Sequence, residues 1–165
     1  MNAVTAYLAS PLGLLALTGT EAGLSAVSFI GTEGQTPAPS TAVSACLRPA
    51  HEQLTAYFGR ELHVFDLVCA PTCGTDFQRQ VWQALTGIGY GRTASYLDVA
   101  RALNNPKSVR AVGAANGQNP LAIVWPCHRV VGADGSLTGY AGGLPRKQWL
   151  LEFEQPTRQG GLFDC

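Results

Sequence analysis

The sequence predicts an α/β (α+β) protein in which a small N-terminal antiparallel sheet with a helix precedes a mostly helical C-terminal domain. Three observations support this prediction: short apolar runs separated by turns near the start, apolar residues at helical spacing from residue 43, and two capping boxes in the second half. We expect an N-terminal α/β domain at residues 1–70, a C-terminal domain at 75–155 and a tail at 156–165.

The N-terminal strands are predicted from apolar runs bounded by turn residues, and a loop rich in Gly, Pro, Thr and Ser follows them. The expected strands lie at residues 4–9, 14–17 and 23–30, and the loop lies at 31–41. From Val43 onward, Leu47, Ala50, Leu54 and Tyr57 recur at three and four residues, which predicts a helix. Pro49 either kinks this helix or restarts it at its first turn.

Helices of the C-terminal domain are predicted from their start and stop signals. Thr75 and Gln78 have the spacing of a capping box, and the helix behind them should run to Thr86 and stop at Gly87. Ser95 and Asp98 repeat the pattern, with a helix ending near Leu103. Ser108 is expected to cap a third helix that continues through Ala115.

The remaining elements are short. We expect a buried strand at 121–125 and a hairpin that pairs 130–131 with 137–138. A flexible glycine loop at 139–143 should lead into a helix opened by Pro145.

Two neighbouring short helices, at 95–103 and 108–115, have the spacing of a helix-turn-helix, in which the second helix usually contacts DNA. Many helical hairpins with this spacing bind nothing. The second helix is made of small residues, with Arg110 as its only long side chain. Its backbone can therefore approach either a protein core or a narrow groove very closely.

Charge is divided unequally along the chain, although the formal net charge is zero. Residues 1–75 have a net charge of −3 and residues 76–165 a net charge of +3. A basic cluster that can attract phosphates comprises Arg92, Arg101, Lys107 and Arg110. The alternative is an ordinary solvated face.

The cysteines and the N-terminus bear on location. Five cysteines without a regular framework are typical of a reduced intracellular protein, and we expect the cytoplasm. The apolar start lacks Lys and Arg and is interrupted at Pro11, so it resembles neither a signal peptide nor a membrane span. Cys69 and Cys73 offer two thiols to a metal, but Cys46, His51 and His63 could complete the set only by coincidence of folding, so we expect no metal.

Cys127 and His128 are the first residues that indicate a specific chemistry. An imidazole and nearby positive charge can increase the thiolate fraction, and the thiolate is the nucleophilic form of cysteine. A single cysteine is nevertheless more often a small buried hydrophobe. The pair alone is therefore only suggestive of nucleophilic chemistry.

The segment from Asn119 to Val130, which contains Trp125-Pro126-Cys127-His128-Arg129, resembles the active-site signature of O6-alkylguanine-DNA alkyltransferases. Further similar motifs follow in the family's order from about Thr75 to Glu154. They are Gly74-Thr75-Asp76-Phe77-Gln78, Val81-Trp82, Tyr90-Gly91, Ser95-Tyr96, Arg110-Ala111-Val112-Gly113, Gly139-Tyr140 and Trp149-Leu150-Leu151. The first seventy residues match no motif, although their length and strand-rich pattern suit the family's N-terminal domain.

The resemblance implies catalytic roles for five residues. Cys127 would accept the alkyl group, and His128 would take its proton through a water. Glu154 would orient His128, and Asn119 would brace the active-site turn. Tyr96 would donate a hydrogen bond to the departing guanine. Without the resemblance, Glu154 would be interpreted as a solvated residue at a helix end and Tyr96 as a core aromatic.

The resemblance also implies a DNA surface on the second helix of the predicted helix-turn-helix. Arg110 would fill the gap left by the extruded nucleotide, while the small residues would enter the minor groove. The other residues expected at DNA are Ser95, Lys107, Ser108, Val109, Ala111 and Gly113.

A deep pocket is implied for the extruded base. Its expected residues are Trp125, Val130, Tyr140, Ala141 and Gly142. Trp125 and Val109 are bulkier than the family's usual residues. Trp125 would alter the size of alkyl group that the pocket accepts, and Val109 would weaken the affinity for DNA. Ala141 lacks the hydroxyl that some relatives have at this position.

The expected activity is therefore a single-use methyltransferase that flips O6-alkylguanine out of duplex DNA and transfers the alkyl group to Cys127. O6-methylguanine is the main expected lesion and O4-methylthymine a further one. We expect no cofactor, no membrane association and a monomer. Two alternatives from other classes are a cysteine hydrolase using Cys127, His128 and Glu154, and a non-catalytic sensor of alkyl lesions.

Overall fold

The N-terminal part of the protein is a three-stranded antiparallel sheet, as predicted. The computed structural model describes residues 2–31 and 34–156. The sheet has the order β1-β2-β3, with β1 at Val4–Ser10, β2 at Gly13–Thr20 and β3 at Gly23–Phe29. Its inward side chains, such as Leu15 and Leu17, are fully buried.

Helix α1 (Arg48–Phe58) covers the sheet. The predicted apolar face is confirmed, because Ala50, Leu54 and Tyr57 are buried. The helix does not extend back to Val43. Of the two effects expected of Pro49, the restart is confirmed: the helix begins at Arg48, with Pro49 in its first turn, where a residue without an N–H group costs no hydrogen bond.

Both predicted capping boxes are present. Thr75 caps α2 (Asp76–Leu85) and Ser95 caps α3 (Tyr96–Ala102), each with reciprocal side-chain and backbone hydrogen bonds. Helix α4 (Val109–Gly117) follows a 3-10 turn at Pro106–Ser108. Ser108 occupies the N-cap position of α4, as predicted, but it makes no side-chain capping bond, because its hydroxyl donates to the carbonyl of Asn105 at 2.7 Å within that turn.

Two predicted strand features in the second half are also wrong. Residues 121–125 form turns, with Ile123 at a φ of 72°, and only Leu121 bridges to β3. The hairpin is absent from the described chain at 130–138. Instead β5 (Val130–Val131) pairs in parallel with β4 (Ala94–Ser95), and the Gly132 N–H donates to the Ser136 carbonyl at 2.8 Å to close a loop.

The final helix, α5 (Leu144–Phe153), has Pro145 in its first turn, as predicted. Two apolar clusters form the core. The first joins the sheet, α1, Leu121 and the inner face of α5, while the second joins α2, α3 and α4 with Cys127 and Val130. The first cluster therefore combines side chains from both predicted domains, and the division at residues 70–75 stays a proposal.

Of the predicted tail, residues 157–165 lie outside the described residues. None of the helices within residues 2–31 and 34–156 combines the length and apolar character needed to cross a membrane.

Candidate active site

The turn that precedes Cys127 is held by the side chain of Asn119. Its Nδ2 donates to the Trp125 carbonyl at 2.8 Å, and its Oδ1 accepts from the Leu121 N–H at 3.0 Å. These bonds hold both ends of a backbone that contains the positive φ of Ile123. Asn119 therefore occupies the position needed to brace the turn that presents Cys127.

Cys127 opens the 3-10 turn Cys127–Arg129 and is 4% exposed. Burial raises the pKa of its thiol, while a hydrogen bond with Asn119 and the positive charge of Lys147 oppose that shift. Because burial dominates, the resting sulfur is a thiol at neutral pH. Its activation therefore requires a base at the time of reaction.

His128 is fully buried, and its Nε2 lies 2.8 Å from Oε1 of Glu154. Burial lowers the pKa of His128 despite the carboxylate, so the imidazole is neutral at pH 7. An ionised carboxylate can only accept, so Nε2 carries the hydrogen and Nδ1 keeps a lone pair. Nδ1 has no hydrogen-bond partner within the described part of the chain. His128 is thus in the tautomer that a general base needs.

Glu154 is the centre of a buried polar network. Burial alone would raise its pKa, but hydrogen bonds from His128 and Arg129 lower it to about 2. Arg129 donates from Nε to Oε2 at 2.8 Å and from its NH2 group to Oε1 at 2.9 Å. The hydroxyl of Tyr57 donates to Oε1 at 2.8 Å. The carboxylate therefore stays ionised and fixed.

Sequence reasoning missed Arg129 and Tyr57 as members of this network. Arg129 directly follows His128, but nothing in the local pattern indicates that its side chain is buried. Tyr57 lies 97 residues from Glu154 in the chain, so only tertiary structure brings them together.

Lys147 is a second charged residue that sequence reasoning missed. It is fully buried, and its Nζ donates to the Thr138 carbonyl at 2.8 Å. The Thr138 hydroxyl donates to the Tyr96 hydroxyl at 2.9 Å, and the Tyr96 hydroxyl donates to the Thr138 carbonyl at 3.2 Å. Burial lowers the pKa of Lys147, and the negative charge of a Cys127 thiolate opposes that shift. Lys147 thus links the surroundings of Cys127 to Tyr96.

A cavity of about 480 Å³ reaches Cys127. It brings together four expected site residues with the nucleophile, namely Asn119, Tyr140, Ala141 and Gly142. Its other walls include β3 and Arg146, which sequence reasoning did not place there.

Two expected pocket residues lie elsewhere. The Trp125 ring stacks on Trp82 with centroids 5.9 Å apart and lines a separate cavity of about 440 Å³. Val130 is fully buried within the second core cluster. Neither side chain lines the cavity that contains Cys127.

The residues expected at DNA, apart from Ser95, lie on α4 and the turn before it. Lys107, Arg110 and Ala111 are exposed, whereas Ser108 and Val109 are partly buried. Gly113 lies beside Tyr96, since a Cβ atom there would be 3.7 Å from the ring. Ser95 is occupied in capping α3. Helix α4 therefore carries the exposed Arg110 and also packs beside Tyr96 through Gly113.

Among residues 2–31 and 34–156, no group of three or more His, Cys, Asp or Glu side chains has the arrangement of a metal site.

Comparison with known proteins places this geometry in a family. The model of the 6-O-methylguanine DNA methyltransferase DNA-binding domain matches residues 76–156. A methylated-DNA–protein-cysteine methyltransferase of Methanosarcina acetivorans is 48% identical over 151 residues, which are 90% of this chain and 96% of the relative. The chain belongs to this family. The methyltransferase of Mycolicibacterium paratuberculosis is similar to it at 49% identity, over 88% of each chain.

Solved methyltransferase structures have the same fold. The O6-methylguanine methyltransferase of Mycobacterium tuberculosis superposes with a TM-score of 0.82 at 42% identity, over 99% of this chain and 100% of that one. The OGT of M. tuberculosis in complex with DNA has a TM-score of 0.79 at 45% identity, over 91% and 92% of the two chains. The similarity therefore includes the N-terminal sheet, for which the sequence offered no motif.

Proposed function

We propose that this methyltransferase repairs DNA by moving an alkyl group from O6 of guanine to the sulfur of Cys127. The observation that carries the proposal is a buried thiol that opens into a cavity and is followed directly by a neutral histidine, which an ionised glutamate orients. The relatives are named as methyltransferases of a protein cysteine, and the similar OGT was solved in complex with DNA. Nucleophile, base and orienting carboxylate have the roles expected for covalent chemistry.

The transfer begins when Nδ1 of His128 takes the thiol proton of Cys127 through a water. The thiolate attacks the alkyl carbon, so that a sulfur–carbon bond forms while the bond from that carbon to O6 breaks. The bonding electron pair stays on the guanine, which then takes up a proton. Glu154 stabilises the imidazolium that forms, because its charge lies 2.8 Å from Nε2.

Tyr96 is the proposed donor to the departing guanine. Its hydroxyl is held by Thr138, and Lys147 donates to the same threonine, so a buried positive charge lies close to the donor. A hydroxyl near such a charge is well suited to stabilise negative charge on the base. To donate to guanine, the Tyr96 hydroxyl must give up its hydrogen bond to the Thr138 carbonyl and form one to the base instead.

The substrate must be a base flipped out of the duplex, because Cys127 is almost completely buried. The cavity is within the range of small-ligand sites, about 300–1,000 Å³, and so suits one extruded base. We propose that α4 contacts the minor groove, with Arg110 in the gap left by the nucleotide. Ser95, Lys107, Ser108, Val109, Ala111 and Gly113 complete the proposed DNA surface.

Residues 75–155 form the proposed domain that binds DNA and accepts the alkyl group, and residues 1–70 form the proposed N-terminal domain that supports it. We further propose a monomer located in the cytoplasm. The four described cysteines, Cys46, Cys69, Cys73 and Cys127, are free, which supports a reducing compartment.

Because a thioether has no simple route back to a thiol, each molecule should react once. The test is to incubate the protein with an excess of duplex containing O6-methylguanine and follow repaired guanine over time. We expect product to stop at one equivalent of protein, and Cys127→Ser to yield none. Continued turnover would instead indicate a hydrolase, and binding without any product would indicate a lesion sensor.

A further inference from the structure

The end of β3 forms one wall of the cavity that contains Cys127. Two backbone hydrogen bonds attach this strand to the active-site turn: the Val27 N–H donates to the Pro120 carbonyl at 2.9 Å, and the Ala122 N–H donates to the Val27 carbonyl at 3.2 Å. The next residues, Ser28 and Phe29, therefore line the cavity. An N-terminal strand thus supplies a surface to the C-terminal reaction site.

The ring of Phe29 packs against the glycine loop, which also lines the cavity. A Cβ atom on Gly142 would lie only 2.7 Å from a ring carbon, so the ring packs directly on that glycine's backbone. Tyr140 meets it edge to face, with centroids 6.2 Å apart. The guanidinium of Arg146 lies 4.6 Å from the ring centroid. The partly buried ring of Phe29 is therefore contacted by Gly142, Tyr140 and Arg146.

Arg146 anchors this arrangement to the rest of the fold. Its Nε donates to the Leu12 carbonyl at 3.0 Å, in the turn between β1 and β2. Its NH1 group donates to the Gly142 carbonyl at 3.2 Å. One side chain thus ties the N-terminal sheet to the glycine loop, with Phe29 beneath its guanidinium.

We infer that Phe29 is a specificity-determining residue that limits the size of the alkyl group Cys127 accepts, an inference that rests on the proposed function. In-line attack places the reacting carbon between O6 and the sulfur. Anything larger than methyl must extend from that carbon toward a cavity wall. Phe29 is the largest apolar side chain that the N-terminal sheet places in that wall, and its contacts with Gly142, Tyr140 and Arg146 hold the ring there.

The test compares two substrates in the same duplex, O6-benzylguanine and O6-methylguanine, so that DNA binding cancels in the ratio of their second-order rate constants. For Phe29→Ala we expect the benzyl-to-methyl ratio to rise about tenfold, at the lower end of what one pocket contact contributes to discrimination. Phe29→Leu should raise the ratio less, and Phe29→Trp should lower it. Phe58→Ala is the matched control, because Phe58 packs against the same core cluster but does not line the cavity.

A benzyl-to-methyl ratio that stays at the parent value in both Phe29→Ala and Phe29→Leu would overturn the inference, as would an equal rise in Phe58→Ala. Loss of stability alone lowers both rates together and leaves the ratio unchanged. Phe29→Leu, a smaller change, keeps the test valid when Phe29→Ala folds poorly. Failure of the proposed function is distinct, since the parent protein would then repair neither duplex.

Discussion

The phenol of Tyr57, on α1, donates a 2.8 Å hydrogen bond to the same oxygen of Glu154 that His128 contacts. A residue of α1 thus helps to fix the carboxylate that orients the proposed base. Both partners are buried, so water competes little for the bond. Helix α1 therefore contributes directly to the geometry of the candidate site.

Tyr57→Phe removes that donor and retains the ring. We expect a loss of about 1.5–3 kcal/mol in the free energy of unfolding, the usual contribution of a hydrogen bond to a charged group. Urea denaturation measures the loss. Tyr7→Phe, which removes a hydroxyl from β1, is the control, and equal stabilities for the two variants would contradict the assigned role.

The pH dependence of alkyl transfer should follow His128. Only the neutral imidazole accepts a proton, and burial lowers the pKa of His128 below its ordinary value of 6.5. The single-turnover rate should therefore be flat between about pH 6.5 and 8 and fall only as the pH drops through the lowered pKa. A rate that climbs in proportion to hydroxide across that range would indicate attack by an independently ionised thiol.

Lys147→Met tests the influence of the buried cation on Cys127. The positive charge of Lys147 favours the thiolate, so its removal should raise the pKa of the Cys127 thiol further. The measurement is the rate of Cys127 alkylation by iodoacetamide as a function of pH, followed by mass spectrometry. Lys107→Met removes an exposed cation as the control. Superimposable pH profiles for the two variants would count against the prediction.

Arg110→Ala addresses base flipping. Arg110 is exposed on α4, whereas Cys127 is buried. Its loss should impair repair of duplex DNA far more than reaction with free O6-benzylguanine, because only the duplex has a gap to fill. Matched losses on both substrates would show that Arg110 acts on the chemistry or the fold instead.

Local signals in the sequence predicted much of this structure. The capping boxes at Thr75 and Ser95 depend on contacts three residues apart, and both formed as expected. The pairing of β4 with β5 was missed because two-residue strands have no readable periodicity. Ser108 makes no side-chain capping bond because a 3-10 turn precedes α4 and engages the same hydroxyl.

The residues of the candidate site that are adjacent in sequence could be predicted, whereas those brought together by folding could not. Cys127 and His128 are adjacent, so their pairing is visible in the sequence. The contributions of Tyr57, Arg129 and Lys147 depend on burial and on contacts between distant segments, which no local pattern specifies. Trp125 belongs to the motif but lines a different cavity, so proximity in sequence did not predict its place.

The most direct test of alkyl transfer to Cys127 is the intact mass of the protein after reaction with duplex DNA containing O6-methylguanine, followed by peptide mapping. We expect a gain of one methyl group, located on Cys127, and no gain in Cys127→Ser. A methyl group on any other residue, or no gain in the parent protein, would contradict transfer to Cys127.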